Sequence, residues 1–407
     1  KEGRPRHDLG REELVSRVEK FAKESESVIL NQIKKMGASR DWSRYAYTLD
    51  EKRNKAVAHA FIQMYNAGLI YRGNRIVNWD PKGQTTISDD EVVHEERDAM
   101  LYTFTYWKDF PISISTTRPE TKVGDTAVAV NPKDARYKKF IGKTFTGEFA
   151  GTTLTLQIVG DEAVDKEFGT GAVGVTPAHS YTDSQIADRH NLPRLQVINE
   201  YAKMAEAAGT LVAELKTTEA REKVVTWLKE NNLLQKEEKI KHNISISERT
   251  GGIIEPLPKL QWFINVDKPF VIPYSEIPGV STGEEITLKE LMRRAVAQGG
   301  IGIWPERFQK SYFHWIDNLH DWCISRQIWF GHRVPVWYRH RRLAQTDTQI
   351  NADVETEIYV GVNPPKEKEW AQDPDVLDTW FSSALWTFST LNWPEKMNDL
   401  KMYHPTS

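Results

Sequence analysis

LYTFTYWKDFPISISTTRPET, residues 101–121, displays the change in character that the chain undergoes near residue 91. LYTFTYW (101–107) and ISISTT (112–117) are β-rich runs, and the KDFP between them is turn-prone. Further short strands are expected at 126–130, 153–159 and 171–176, with helical stretches at 182–190 and 217–233. Strands first and helices after, over roughly 150 residues, describe a compact α+β or barrel-like unit.

On the N-terminal side, residues 1–90 read as mainly helical. Leu14, Val18, Phe21, Val28, Ile29, Ile33 and Met36 approximate a helical stripe, with Gly37 placed to end it. Thr48 and Glu51 have capping-box spacing, Val57, Phe61, Met64 and Tyr65 share the next apolar face, and Gly68 closes the segment. On the C-terminal side the pattern shifts again near 246. PLPKLQWFINV reads as a turn into a strand, and TLKELMRRAVAQGG as a helix with a glycine stop. The stretch 339–370, with RHRR and VNPPKEKE, reads as the softest loop. The fold class is therefore α/β and multidomain, in three stretches: 1–90, 91–245 and 246–407.

Bulk properties exclude several classes. The chain has 407 residues, 39% hydrophobic and 27% charged, with a formal net charge of -3. That balance is ordinary for a globular protein and excludes a globally basic nucleic-acid coat. A single cysteine, Cys323, allows no internal disulfide and no cysteine-based zinc site, and fits a reducing, cytoplasmic setting. The charged N-terminus is no signal peptide, and no apolar run approaches the roughly eighteen residues needed to span a membrane. The first residue is Lys and the last are HPTS, so both ends read as cuts through a longer chain.

Four stretches could carry chemistry. In STTRPET (115–121), Arg118 and Thr121 stand where a strand delivers hydroxyls, a guanidinium and a carboxylate to a turn. Arg118 can pair with carboxylate, phosphate or ribose oxygens, or simply sit in a surface ion pair. In EFGTGAVGVTPAHSYTDSQIADRHNLP (167–193), Thr176, His179, Ser180 and Asp183 lie on a turn entering a helix. Asp183 can hold a substrate ammonium, or stabilise a helix start through the dipole. No third ligand accompanies His179 and Asp183, so no metal site is expected. In DWCISRQIWFGHRVPVWY (321–338), Trp322 shares a seven-residue spacing with Trp315 and Trp329, which on a helix is an aromatic stripe. In DVLDTWFSSALW (375–386), Asp378 and Trp380 can face a ligand or cap and fill a core. There is no GxSxG, no P-loop and no GxGxxG, so any hydrolysis here would use a positioned water.

Taken together and in this order, the motifs resemble the class I aminoacyl-tRNA synthetases for branched aliphatic amino acids, and within them the valyl-tRNA synthetases. The resemblance rests on RHDLGRE (6–12), GASRDWSR (37–44), LIYRGNRIVNW (69–79), STTRPET, GTGAV…VTPAH…RHNLP, IEP…QWF (254–263), WCISRQIWFGHRVPVWY and DVLDTWFSSALW. WFGHRVP and LDTWFSSALW look like the valine enzymes and not their isoleucine or leucine relatives. The resemblance implies a β-barrel-like α+β editing domain, 91–245, inserted into a class I Rossmann-type catalytic domain that is only partly present. Residues 1–90 would be its N-terminal flanking part and 246–407 the return into it.

The resemblance also implies an activity. In that family the complete enzyme attaches valine to tRNA(Val) with ATP and Mg2+; the inserted domain hydrolyses threonine mistakenly esterified to tRNA(Val), needs no cofactor, and acts as part of a monomer. A hydrophobic pocket rejects the extra hydroxyl of threonine by only about 10²-fold, which is why a second, hydrolytic site exists. Arg118, Thr121, Thr176 and Asp183 match the catalytic positions of the editing pocket, with Asp183 on the substrate ammonium and Arg118 and Thr121 bordering the terminal adenosine and the ester. His179 and Ser180 would contact the substrate, while Trp322, Trp380 and Asp378 would lie near the valine pocket. Two positions depart from the family pattern: Gly174 where a lysine is expected, and Ser180 where an aspartate is. The alternative is therefore an editing-impaired tRNA-binding fragment, in which Gly174→Lys with Ser180→Asp would restore activity. The cysteines that bind zinc in some relatives are missing, so no zinc is expected. The HIGH-type and KMSKS-type ATP signatures are also missing, and the chain alone should show no valine-dependent pyrophosphate exchange.

Overall fold

A computed structural model describes residues 6–342, 354–367, 369–395 and 397–405. The chain divides into two compact units, residues 1–72 with 262–407 and residues 73–261.

In the first unit, the helix Glu51–Asn66 buries Val57 and Phe61 as the stripe predicts. Its N-cap is Asp50 and not Thr48: the Asp50 carboxylate accepts the Arg53 N–H at 2.9 Å and the Tyr47 N–H at 3.1 Å. A carboxylate that can serve two donors and pair with the Arg53 side chain outcompetes a hydroxyl two residues earlier. The helix Arg11–Lys35 forms over the expected stripe, yet none of its residues is buried. Phe61, Trp262, Ile324, Val334, Leu377 and Phe381 make the core of this unit. The seven-residue tryptophan spacing is not a helical stripe. Trp315 lies on the helix Arg307–Asp317, Trp322 in the strand Trp322–Cys323, and Trp329 in a left-handed conformation at φ 68. Pairing of Ser325 with Leu377 and Arg326 with Val376 draws the segment into extended backbone. The ends of the expected loop 339–370 are likewise extended, with Val336–Arg342 antiparallel to Val354–Val360; residues 343–353 lie outside the described residues.

The chain enters the second unit along β1 (Ile70–Asp80), and β2 (Thr85–Thr86) pairs back on its end. Next come β3 (Val92–Phe104), β4 (Ile114–Thr116), β5 (Ala127–Val130), β6 (Thr144–Phe149), β7 (Thr152–Gly160) and β8 (Ala172–Val175). The helices Tyr181–His190 and Thr217–Glu230 come after them, then β9 (Leu234–Ser247) and β10 (Glu255–Ile264). One sheet has the order β4-β3-β9 and another β6-β7-β5-β8, while β1, β2 and β10 belong to a further sheet. Ala150 and Gly151, both at positive φ, make the two-residue connection of the β6–β7 hairpin. The expected barrel-like unit takes the form of these separate sheets, with no closed barrel among the described residues. Phe104, Tyr106, Phe149, Leu156 and Val224 pack in its main core. Closure is unnecessary because the helix Thr217–Glu230 contributes Ala220, Val224 and Leu228 to the same core.

The ladder between β5 and β8 positions the polar residues of this unit. It is antiparallel, with Ala127 opposite Val175, so the residues just before β5 lie beside those just after β8. That register brings Asp125 to Thr176.

Candidate functional site

Thr176, His179, Ser180 and Asp183 occupy the turn from β8 into the helix Tyr181–His190. Ser180 is the N-cap, its Oγ accepting the Asp183 N–H at 3.3 Å. Asp183 sits in the first turn of that helix, where the dipole favours a negative charge. Its Oδ2 accepts the Thr176 N–H at 2.8 Å, while Oδ1 has no hydrogen-bond partner among the described residues. The far end of the helix is tethered as well: Asp161 accepts from Arg189 at 2.8 and 2.9 Å and contacts His190 Nε2 at 3.0 Å. The Arg189 hydrogen bonds hold the Asp161 carboxyl down at about 2.

Beneath Thr176 lies a buried polar cluster that sequence reasoning did not single out. Asp125 accepts hydrogen bonds from the Tyr106 and Thr176 hydroxyls. The Lys122 ammonium donates to Thr176 Oγ1 at 2.7 Å, to the Gly174 carbonyl at 2.8 Å and to Asp125 Oδ1 at 3.2 Å. Burial pushes the Asp125 carboxyl up even against Lys122 and the two hydroxyls, and Asp183 adds to the rise. Burial and Asp125 together push the Tyr106 phenol well above its ordinary value. The available signal was the lysine directly after STTRPET, in a 3-10 turn, Pro119–Gly124, that is buried throughout.

Arg118 and Thr121 belong to the same unit but are engaged internally. Arg118 donates to Glu255 at 2.8 Å and to Glu120 at 3.2 Å, and Glu120 is held from its other side by Arg221 at 2.8 Å. Burial disfavours the Arg118 charge, but Glu255 and Glu120 more than offset it and raise its pKa. The Thr121 hydroxyl donates to the Arg118 carbonyl at 2.9 Å.

His179 is a core histidine. Its Nε2 accepts the N–H groups of Val197 at 2.8 Å and Ile198 at 3.2 Å, and Nδ1 faces the Pro256 carbonyl at 3.3 Å. Burial, reinforced by the Arg118 charge, pulls its pKa down to about 3. The folded imidazole is thus neutral where the unfolded one, near pKa 6.5, begins to protonate. Stability from this group is complete above about pH 6.5 and is lost as pH falls towards 3, by at most about 1.4 kcal/mol per pH unit. Thermal melts between roughly pH 7 and pH 5, above the carboxylate range, should show a falling midpoint for the unit containing His179. His179→Gln should flatten that slope while lowering stability at pH 7 by about 1–2 kcal/mol. An unchanged slope in the variant would remove His179 as its source.

The residues expected near the valine pocket all fall in the other unit. Asp378 caps the helix Thr379–Ser383 through the Trp380 N–H at 3.0 Å and forms a buried ion pair with Arg326. Trp322 packs beside Phe381 with ring centroids 6.4 Å apart, and Trp380 is half exposed. No three His, Cys, Asp or Glu side chains among the described residues are grouped to hold one metal ion, and no described helix is long and apolar enough to cross a membrane.

Comparison with known proteins bears on the chain as a whole. The family model described as tRNA synthetases class I (I, L, M and V) matches residues 1–407. The chain is 43% identical over 412 residues to the valine–tRNA ligase of Lactobacillus acidophilus, and 44% identical over 414 residues to that of Geobacillus kaustophilus. In both cases all of this chain is covered but only 43% of the relative, so the chain spans less than half the length of these ligases. A solved LeuRS–tRNA–LeuAMS complex from Agrobacterium radiobacter overlays 91% of this chain and 48% of its own at 16% identity, and its TM-score of 0.32 is too low to carry a fold argument. On the family match, the chain belongs to the class I tRNA synthetases for isoleucine, leucine, methionine and valine.

Proposed function

We propose that this chain is the part of a valine–tRNA ligase that hydrolyses mischarged threonyl-tRNA(Val). The editing domain comprises residues 91–245, a β-rich insertion in a Rossmann-type catalytic domain. The observation that carries the reading is the Asp183 carboxylate: one oxygen is anchored by the Thr176 N–H, the other has no hydrogen-bond partner among the described residues, and Thr176 joins it to a buried polar cluster. An aminoacyl ester carries a free ammonium, and a carboxylate with one open oxygen is a strong anchor for it. With the ammonium held, the ester carbonyl is presented to water in one orientation. Water adds to the carbonyl carbon, the bond to the ribose oxygen breaks, and that oxygen leaves with a proton. Ser180 stands beside Asp183 and offers a hydroxyl to the threonine side chain; valine has nothing to return.

ATP and Mg2+ serve the ligation step of the complete enzyme, at which Trp322, Trp380 and Asp378 border the valine pocket. No residue set here is assigned to either, and hydrolysis needs neither. A second reading, a tRNA-binding module without hydrolysis, is favoured by the engagement of Arg118 with Glu120 and Glu255. Deacylation of Thr-tRNA(Val) and Val-tRNA(Val) separates the two. The first expects faster loss of threonine than of valine; tRNA binding without loss of either ester above buffer selects the second.

A further inference from the structure

The buried cation beneath Thr176 has no role in that hydrolysis as derived from Asp183 and Ser180. Lys122 is only 6% exposed, and its ammonium meets three acceptors: Thr176 Oγ1, the Gly174 carbonyl and Asp125 Oδ1. The Thr176 hydroxyl donates to Asp125 while accepting from Lys122, so both of its roles are assigned and its orientation is set. The Thr176 main-chain N–H goes to Asp183. Lys122 is therefore linked through a single residue to the carboxylate that would hold the ligand.

Stability alone does not account for this arrangement. Replacing a buried ion pair with apolar side chains is often neutral or stabilising, because desolvating both charges offsets their attraction. Nor can the neighbouring strand supply a cation. A Cβ at Gly174 would overlap Asp125 Oδ2 and Tyr106 Oη, and would come within 2.9 Å of Ile114 Cδ1. The groups facing Asp125 are Lys122, Tyr106, Thr176 and Asp183, and Lys122 is the cation among them.

We propose that Lys122 is a positioning residue of the hydrolytic site, locking the Thr176 hydroxyl so that Asp183, anchored on the Thr176 main-chain N–H, meets the ammonium of an aminoacyl ester in a fixed place. The proposal rests on the deacylation reading. Its effect passes through the Thr176 side chain, which makes a double-mutant cycle the natural test.

Single-turnover deacylation of threonyl-tRNA is measured for the full chain, Lys122→Met, Thr176→Val and the double variant, with a thermal melt of each. Lys122→Met should slow the wild-type rate about tenfold or more, yet change the Thr176→Val rate by no more than about twofold. A lysine that only supports the fold would cost the same factor in both backgrounds, and that result overturns the proposal, as does no loss in the wild-type background. If Lys122→Met fails to fold, Lys122→Leu, which likewise cannot donate to Thr176 Oγ1, takes its place in the cycle with the same expectation. If the unmodified chain releases no threonine above buffer, the deacylation reading falls and takes this assignment with it. If it releases threonine but the losses are additive, only the assignment of Lys122 falls.

Discussion

Asp183→Ala is expected to slow deacylation of threonyl-tRNA by about 30-fold to a few thousand-fold. Removing one partner of a desolvated, hydrogen-bonded charge pair costs roughly 2–5 kcal/mol, and each 1.36 kcal/mol on the barrier is about a factor of ten. Part of the loss would be structural. The alanine variant also strands the buried Thr176 N–H, which now donates to Asp183 Oδ2, at about 1–3 kcal/mol of stability. Asp183→Asn separates the two effects. Its amide oxygen can still accept from Thr176 while its charge is gone, so the fold should melt close to wild type and the rate should still fall. Wild-type rates from both variants would mean that the ligand ammonium is held elsewhere. A rate that recovers fully in Asp183→Asn would make the residue a helix anchor and no more.

Gly174→Lys is expected to damage the protein, which reverses what the sequence implies. By resemblance a lysine at 174 is the missing family residue, and restoring it with Ser180→Asp should help. The structure places the Gly174 Cα against Asp125 and Tyr106, so that a side chain would overlap Asp125 Oδ2 and Tyr106 Oη. Both are buried and hydrogen-bonded to each other, so neither can swing aside cheaply. Overpacking of this kind costs about 1–3 kcal/mol, and a second buried ammonium beside Lys122 adds a desolvation cost of several kcal/mol. Taking about 3–5 kcal/mol in all, the melting midpoint of the unit should drop by roughly 6–20 °C. Ser180→Asp alone should leave it close to wild type, since aspartate caps a helix N-terminus as well as serine does. A double variant that melts like wild type and clears threonine faster would show that the cluster can open to admit the lysine.

Both predictions turn on contacts that periodicity does not encode. Much of the second unit was legible. The strands around KDFP, those at 127–130, 152–160 and 172–175, and the helices at 181–190 and 217–230 arise from β-branched runs, turn residues and a 3.6-residue period. β9 was not legible, because LQKEEKIKHNISIS carries too many charges to read as a strand, a composition suited to an edge. In the first unit, Asp50 displaced Thr48 as the helix cap because hydrogen bonding is settled by the donors within reach. The tryptophan stripe failed because strand pairing overrode a helical spacing.

By itself the sequence determined the chemistry available: a hydroxyl, a helix-start carboxylate and an arginine in STTRPET and VTPAHSYTD, with the order of motifs that marks a class I synthetase. Only the tertiary structure decided how those groups are used. The antiparallel register of β5 on β8 sets Asp125 against Thr176, although they are 51 residues apart in the chain. That proximity gives Lys122 a buried site, closes position 174 to any side chain, and leaves Asp183 with one oxygen anchored and the other without a partner among the described residues. His179 shows the same division. Its place in a ligand-like motif suggested contact with substrate, but the N–H groups of Val197 and Ile198 claim its ring, because a buried donor without an acceptor costs more than the fold can spare.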